Sequence, residues 1–291
     1  MRPPSSHLCC GLISGFLTLA GCAKGEAPRP GGGDSPRKVD GAIPRRRALP
    51  SPPRPRRRPP PRVVAPVLPR GLVNLKLAKY RPAVFVAPQG AGRSPWPVVV
   101  ILHGNFDRPE WECEWWLPAR RLGWLLCPRG RRRPGVDRRL DRWTYAGSTF
   151  VTRELHAALD VLKRRFVSLV REQDALLIGF SLGGILGPRV MLGSRLRFTR
   201  AIFVEGGAGV SPGQIRTLKK RGLKRVAYLC GQYSGCGSKA RRAVRLWRRR
   251  GVEARLWIMP GVGHNYNEDF APLAERVLAW LQRPASDKPE K

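Results

Sequence analysis

Ala175-Leu176-Leu177-Ile178-Gly179-Phe180-Ser181-Leu182-Gly183 is the stretch on which the fold turns. Ala175 to Ile178 is a short, continuous apolar run, the pattern of a strand buried on both faces. It leads into Gly179-Phe180-Ser181-Leu182-Gly183, which fits G-x-S-x-G, and a helix is predicted to follow. In that strand–turn–helix setting the small residues permit a sharp, strained turn. The turn lifts the serine hydroxyl over the sheet edge and aims the next backbone N–H at the same place. Ser181 is therefore the candidate nucleophile, and Leu182 the candidate donor of one oxyanion N–H. Outside that setting the same five residues would be a glycine-rich turn that packs a helix on a sheet.

Upstream, Val98-Val99-Val100-Ile101-Leu102 is a second doubly buried strand. Similar runs follow at Trp124–Leu126, Ala201–Val204, Val226–Leu229 and Ala254–Met259. Val73–Leu77 and Ala83–Val86, the latter bounded by prolines, are expected as antiparallel edge strands. Leu155, Leu159, Leu162 and Phe166 recur at helical spacing, as do Phe270, Leu273, Val277 and Leu281. Strands alternating with amphipathic helices predict an α/β domain with a doubly wound, mostly parallel sheet and right-handed crossovers. Its site should lie beyond the carboxyl ends of the strands.

A serine nucleophile needs a base. His7 lies in the N-terminal apolar segment, His103 ends an upstream strand, and His156 falls within a predicted helix before the serine. His264, in Gly261-Val262-Gly263-His264, follows the last strand, as the order serine, acid, histidine requires. Leu102-His103-Gly104-Asn105 closes the strand from Val98, and the backbone of Asn105 is assigned the second oxyanion N–H. His103 itself is expected to be structural.

These motifs, Leu-His-Gly at 102–104, Gly-Phe-Ser-Leu-Gly at 179–183 and Gly-Val-Gly-His at 261–264, resemble those of the α/β-hydrolase superfamily. The nearest branches are the dienelactone-hydrolase, carboxylesterase and polyhydroxybutyrate-depolymerase-like ones. The resemblance spans most of Gly71 to Arg283. It implies hydrolysis of a small or polymeric carboxylic ester through a covalent acyl-enzyme, with no metal or cofactor. One departure stands out: such relatives carry the triad acid after the strand matching Val226–Cys230, and here Gly231-Gln232-Tyr233-Ser234-Gly235-Cys236 has no carboxylate. Between Ser181 and His264 the acids are Glu205 and Glu253. Glu253 opens the last strand and should sit at the wrong sheet edge, about six residues at ~3.3 Å each away. Glu205 ends the strand Ala201–Val204 at the active edge and is the candidate acid. The alternatives are a Ser181–His264 dyad, or a weak or inactive domain that binds an anionic envelope polymer. Trp111, Trp115, Trp116 and Trp143 are expected to flank the site or to fill the core.

The chain has 291 residues, with 55 Lys and Arg against 20 Asp and Glu. After Arg70 there remain 41 basic and 17 acidic residues, so a net charge of +24 belongs to the folded part. Such a charge favours anionic surfaces, or simply solvates helix faces. Arg131-Arg132-Arg133 and Arg248-Arg249-Arg250 lack the interleaved aromatics of a nucleic-acid stacking platform, so no specific nucleic-acid partner is expected.

Leu8–Ala20 is too short and interrupted to span a bilayer, and after Arg2 it has the pattern of an export signal. Leu19-Ala20-Gly21-Cys22 resembles the lipobox of bacterial lipoproteins, which implies residues 1–21 as signal and a lipidated Cys22. Ala23 favours the outer membrane over retention at the inner one, with the domain extracytoplasmic. Residues 22–70 are rich in Pro, Arg and Gly and form a tether that cannot bury a core. The hydrolase domain is assigned to 71–284 and a polar tail to 285–291. Export places Cys113, Cys127, Cys230 and Cys236 in an oxidising compartment. Four cysteines allow three pairings; closeness in sequence favours Cys113–Cys127 and Cys230–Cys236. No Cys/His cluster has metal spacing.

Overall fold

A computed structural model describes residues 68–90 and 94–284. The stretch read as an export signal, Cys22, nearly all of the stretch read as a tether and the residues from 285 lie outside the described residues. Among the described residues ten strands and six α-helices follow in chain order. The strands are β1 (Val73–Leu75), β2 (Ala83–Val86), β3 (Val98–Leu102), β4 (Trp124–Cys127), β5 (Arg131–Arg132), β6 (Trp143–Thr144), β7 (Ala175–Phe180), β8 (Phe198–Val204), β9 (Arg225–Gly231) and β10 (Glu253–Met259). The helices are α1 (Pro109–Trp115), α2 (Ser148–Arg165), α3 (Leu182–Gly193), α4 (Pro212–Lys220), α5 (Cys236–Arg249) and α6 (Phe270–Gln282).

Eight strands form one sheet in the order β1-β2-β4-β3-β7-β8-β9-β10. From β4 to β10 the neighbours run parallel, whereas β2 is antiparallel to both β1 and β4. This is the doubly wound, mostly parallel sheet expected. One detail differs. Ala83–Val86 was expected at an edge, but β2 lies inside the sheet and all four residues are buried. Its prolines flank the strand without interrupting it, so its backbone pairs on both sides and only β1 is left as that edge.

The alternation of side chains along each strand builds two cores. Val98, Val100 and Leu102 pack with α2, α3, α4 and α5 on one face. Val99 and Ile101 pack with α1 and α6 on the other. Every residue of β3 is sealed from solvent, which at ~1.5–3 kcal/mol per apolar side chain explains why its run carries no polar residue. The faces differ in kind: the α6 side is closed by an aromatic stack in which Phe270 meets Trp115, Trp116 and Tyr266 edge-on or tilted.

Cys113 on α1 is bonded to Cys127 at the end of β4, and Cys230 to Cys236 at the start of α5. The first closes a separation of 14 residues, a loop whose restriction stabilises by about 3 kcal/mol in the chain-entropy account. Burial raises the Glu154 carboxyl to about 7, against the pull of the Arg129 and Gly130 N–H groups that it accepts. Among the described residues no helix is long and apolar enough to cross a membrane.

Candidate active site

Ser181 lies between β7 and α3 with φ 48° and ψ −111°. A residue with a β-carbon in that region stores on the order of 1–3 kcal/mol of strain, so the surroundings must impose it. Ser181 N–H donates to Val204 O at 2.8 Å, and Ser181 O accepts from Ile185 N–H at 2.9 Å. Helix α3 also starts hard against β3: a β-carbon on Gly183 would lie 2.2 Å from Leu102 O. The glycine after Leu182 is thus required by the approach of helix to strand.

His264 reaches the turn from the loop after β10. Its Nε2 is 2.7 Å from Ser181 Oγ, and its Nδ1 is 3.1 Å from Glu205 Oε2. A carboxylate only accepts, so the ring proton belongs on Nδ1, leaving Nε2 to accept from the serine hydroxyl. Glu205 directly follows β8, takes φ 54°, and has a side chain only 1% exposed. Its second oxygen, Oε1, accepts from Gly231 N–H and from the Ser234 hydroxyl, the latter at 3.0 Å. Ser234 Oγ in turn accepts from Cys236 N–H at 3.3 Å.

The loop after β9, which offers no carboxylate, therefore supplies the donors that hold one. Its brace is the Cys230–Cys236 disulfide. Gly231 is needed for the same assembly, because a β-carbon there would lie 2.0 Å from Gly263 O, in the histidine loop. Sequence pattern had shown this loop as a deficit; the cross-strand hydrogen bonds that reverse that view join residues 26 and 29 positions apart. Glu253, as expected, is at the opposite edge, paired with Arg225 at 2.6 Å.

Ser234→Asp tests the cradle. It would bring a second carboxyl group next to buried Glu205 in place of a hydroxyl donor, removing the Ser234 hydrogen bond to Oε1. We expect kcat at pH 7 to fall at least tenfold, measured by steady-state turnover of a p-nitrophenyl ester. An unchanged or increased kcat would mean that Glu205 does not orient His264.

Ser181 and His264 open into a cavity of ≈ 340 Å³ lined by Asn105, Phe106, Trp111, Glu112, Trp115 and Phe180, among others. Asn105 follows β3 at this edge, and Leu182 is the first residue of α3, where helical N–H groups lack internal partners. The two-stranded β5–β6 hairpin fixes the Asn105 loop: Thr144 Oγ donates to Asn105 Oδ1 at 2.8 Å, and Phe106 N–H donates to Trp143 O at 3.0 Å. The four tryptophans divide. Trp111 and Trp115 are each 39% exposed at the cavity, whereas Trp116 and Trp143 are buried. Arg142 stacks over Trp111 at 4.5 Å.

Glu112, which spacing did not single out, is buried in the cavity wall and accepts from the Tyr266 hydroxyl at 2.5 Å. Burial pushes its carboxyl well above the usual carboxylate range, and the Tyr266 hydrogen bond only partly opposes this. His103 is buried under Tyr145, with ring centroids 4.4 Å apart, and its nitrogens face the carbonyls of Gly104 and Arg129. Burial lowers its pKa. On the other side of His264 lies a wider cavity of ≈ 500 Å³, floored by Gly206, Gly207 and Gly209 and rimmed by Arg189 and Lys239. Among the described residues no group of three or more His, Cys, Asp or Glu could hold a metal ion.

No protein-family model matches the chain, and no curated protein does. Solved structures do. An uncharacterized protein from Bacillus cereus superposes with a TM-score of 0.54 at 14% identity, over 67% of this chain and 61% of that one. Est1E from Butyrivibrio proteoclasticus, solved with ferulic acid bound, gives 0.52 at 13% identity, over 72% and 97%. The chain thus spans about three-fifths of the first structure and nearly all of the second. With the strand order above, these likenesses show that the chain has the α/β-hydrolase fold.

Proposed function

We propose that this protein is a serine carboxylic ester hydrolase that works through an acyl-enzyme. The observation that carries the reading is the continuous contact from Ser181 Oγ through the His264 ring to a buried Glu205 carboxylate, at the carboxyl edge of a parallel sheet. As Ser181 Oγ attacks the ester carbonyl, its proton passes to His264 Nε2. The negative charge that forms on the carbonyl oxygen meets the N–H groups of Asn105 and Leu182, each worth about 3–4 kcal/mol to that transition state. Glu205 stabilises the imidazolium. His264 then gives the proton to the departing alcohol oxygen; a water, deprotonated by the same nitrogen, attacks the acyl carbon, and as the acid leaves Nε2 returns that proton to Ser181 Oγ.

The acyl group is assigned to the cavity of Phe106, Trp111 and Trp115, and the alcohol to the wider, glycine-floored one. An aromatic acyl group suits the first, since exposed rings there offer stacking faces worth about 0.5–1.5 kcal/mol beyond burial. Est1E, of the same fold, holds ferulic acid, an aromatic acid. With p-nitrophenyl esters the full chain should release a burst of about one equivalent of nitrophenol before steady turnover. A cinnamoyl ester should be preferred to an acetyl ester, and Trp111→Ala with Trp115→Ala should remove the preference. No turnover of any ester would contradict the function; turnover without the preference would contradict the acyl assignment alone.

The resemblance at Leu19-Ala20-Gly21-Cys22 supports attachment to the cell envelope, with the outer membrane favoured and the domain held off the bilayer on its tether. Several acyl chains on one residue anchor stably where one is marginal. The full chain produced in a bacterial host should incorporate labelled palmitate, and Cys22→Ala should not. Equal incorporation would sink the anchor.

A further inference from the structure

The strand ends opposite the triad hold a third cavity, ≈ 860 Å³ in volume, at the amino edge of β7 to β10. Six residues of β7 at ~3.3 Å each put it roughly 20 Å from Ser181. Arg171, Arg200, Lys219, Lys224, Arg225 and Arg283 line it, against the carboxylates Asp174 and Glu253.

The register shows why this charge is unbalanced. Arg225 on β9 lies beside Arg200 on β8 and Glu253 on β10. Like charges side by side on neighbouring strands are destabilising. The single carboxylate of that row is taken by Arg225, at 2.6 Å, and Arg225 is further bonded to Pro284 O at 2.8 Å. Arg200 is left with the backbone carbonyl of Asp174, at 3.0 Å, while the Asp174 carboxylate pairs with Arg171 at 3.4 Å.

Burial, with Arg171 and Arg225 alongside, pushes the Arg200 guanidinium below its ordinary value, against the opposing pull of Asp174. Among the described residues Arg200, Lys219 and Lys224 form no ion pair. Lys219 is laid into the cleft over Gly251, where a β-carbon would lie 2.5 Å from its Nζ. The adjoining recess shares Arg171 and Arg200 and includes Trp96, whose buried Nε1–H has no hydrogen-bond partner among the described residues. A half-buried cation beside like charges is costly unless an anion neutralises it.

We propose that this cleft is a second binding site, for a phosphate-bearing ligand with more than one negative charge, either a soluble polyphosphate or a phosphorylated lipid headgroup. The choice of phosphate follows from the donors: two free-ended lysines and the planar fork of Arg200 suit tetrahedral oxyanions carrying several acceptor oxygens. The site is distinct from the triad and does not rest on the ester reading.

The test is calorimetric titration of the purified full chain in ~0.15 M salt, a concentration that screens loose surface charge. One arm uses inorganic tripolyphosphate. The other uses dihexanoyl phosphatidic acid below its micellar concentration. Arg200→Gln/Lys224→Gln should raise Kd at least 30-fold in each arm that binds, and the arm with the lower Kd in the unsubstituted protein names the source of the ligand. Arg241→Gln/Arg245→Gln, which removes the same charge from the exposed face of α5, should change Kd less than twofold. Melting temperatures of both variants should agree with that of the unsubstituted protein within a few degrees, showing that they fold. If Arg200→Gln costs the fold, the exposed pair Lys219→Gln/Lys224→Gln serves instead, with at least a tenfold rise expected. Equal weakening by the α5 variant, or no saturable binding in either arm, would overturn the proposal.

Discussion

Glu205→Gln is expected to lower kcat by a factor of about 10³ or more while leaving KM nearly unchanged. The expectation follows from what each atom of the side chain does. Oε2 faces His264 Nδ1 at 3.1 Å, and Oε1 accepts from Gly231 and Ser234. A glutamine of the same shape must turn its NH₂ toward one of them. Turned to His264, it forces the ring proton onto Nε2, which then cannot accept from Ser181. Turned to the cradle, it sets an N–H against the Gly231 N–H, and the imidazolium still lacks its counter-charge. In triad enzymes the equivalent change costs about 10⁴ in rate, close to 5 kcal/mol. The Glu205 side chain is only 1% exposed and so offers the substrate little surface, and binding should be spared. Steady-state kinetics with a p-nitrophenyl ester decide it. A fall of less than tenfold would leave Glu205 structural and Ser181 with His264 working as a dyad.

Ser181→Ala is expected to cost more, about 10⁶ in kcat, because removing the nucleophile closes the acyl-enzyme route altogether. What remains should be the slow attack of water helped by the oxyanion donors. The fold should be indifferent to the change. Alanine keeps a β-carbon, so the strain at φ 48° is neither relieved nor increased. The lost hydroxyl is bonded to His264 Nε2 at the mouth of the cavity, where water can take its place. Melting temperatures of the two proteins should agree within a few degrees, which separates loss of chemistry from loss of structure. Residual turnover within a hundredfold of the unsubstituted protein would mean that another residue attacks the ester.

The order of strands and the place of Ser181 were legible because both rest on local, near-continuous pattern. Val98–Leu102 and Ala175–Ile178 can only be strands buried on two faces, and a G-x-S-x-G after such a strand has few other conformations. The chain order of His264 and the strand-end position of Glu205 could also be read. What spacing did not reach was pairing between distant segments. The Gly231 and Ser234 donors to Glu205 depend on how closely β8 and β9 end together, which no local period records. The interior position of β2 was hidden for a similar reason: short runs bounded by prolines look the same at an edge and one strand in. The four tryptophans could not be sorted either. Trp115 and Trp116 are neighbours in sequence, yet the turn of α1 into the following 3₁₀ segment leaves one at the cavity and buries the other. The charge had the same limit, since composition gives its amount and only the register sets Arg200 beside Arg225.

Whether Ser181 is a nucleophile made ready by His264 is read directly by covalent labelling with a fluorophosphonate. The full chain should take up about one equivalent, with the adduct on the peptide that contains Ser181. Ser181→Ala should take up none, and Glu205→Gln should label fully but more slowly. Equal labelling of the native protein and Ser181→Ala, or an adduct on any other serine, would contradict the claim.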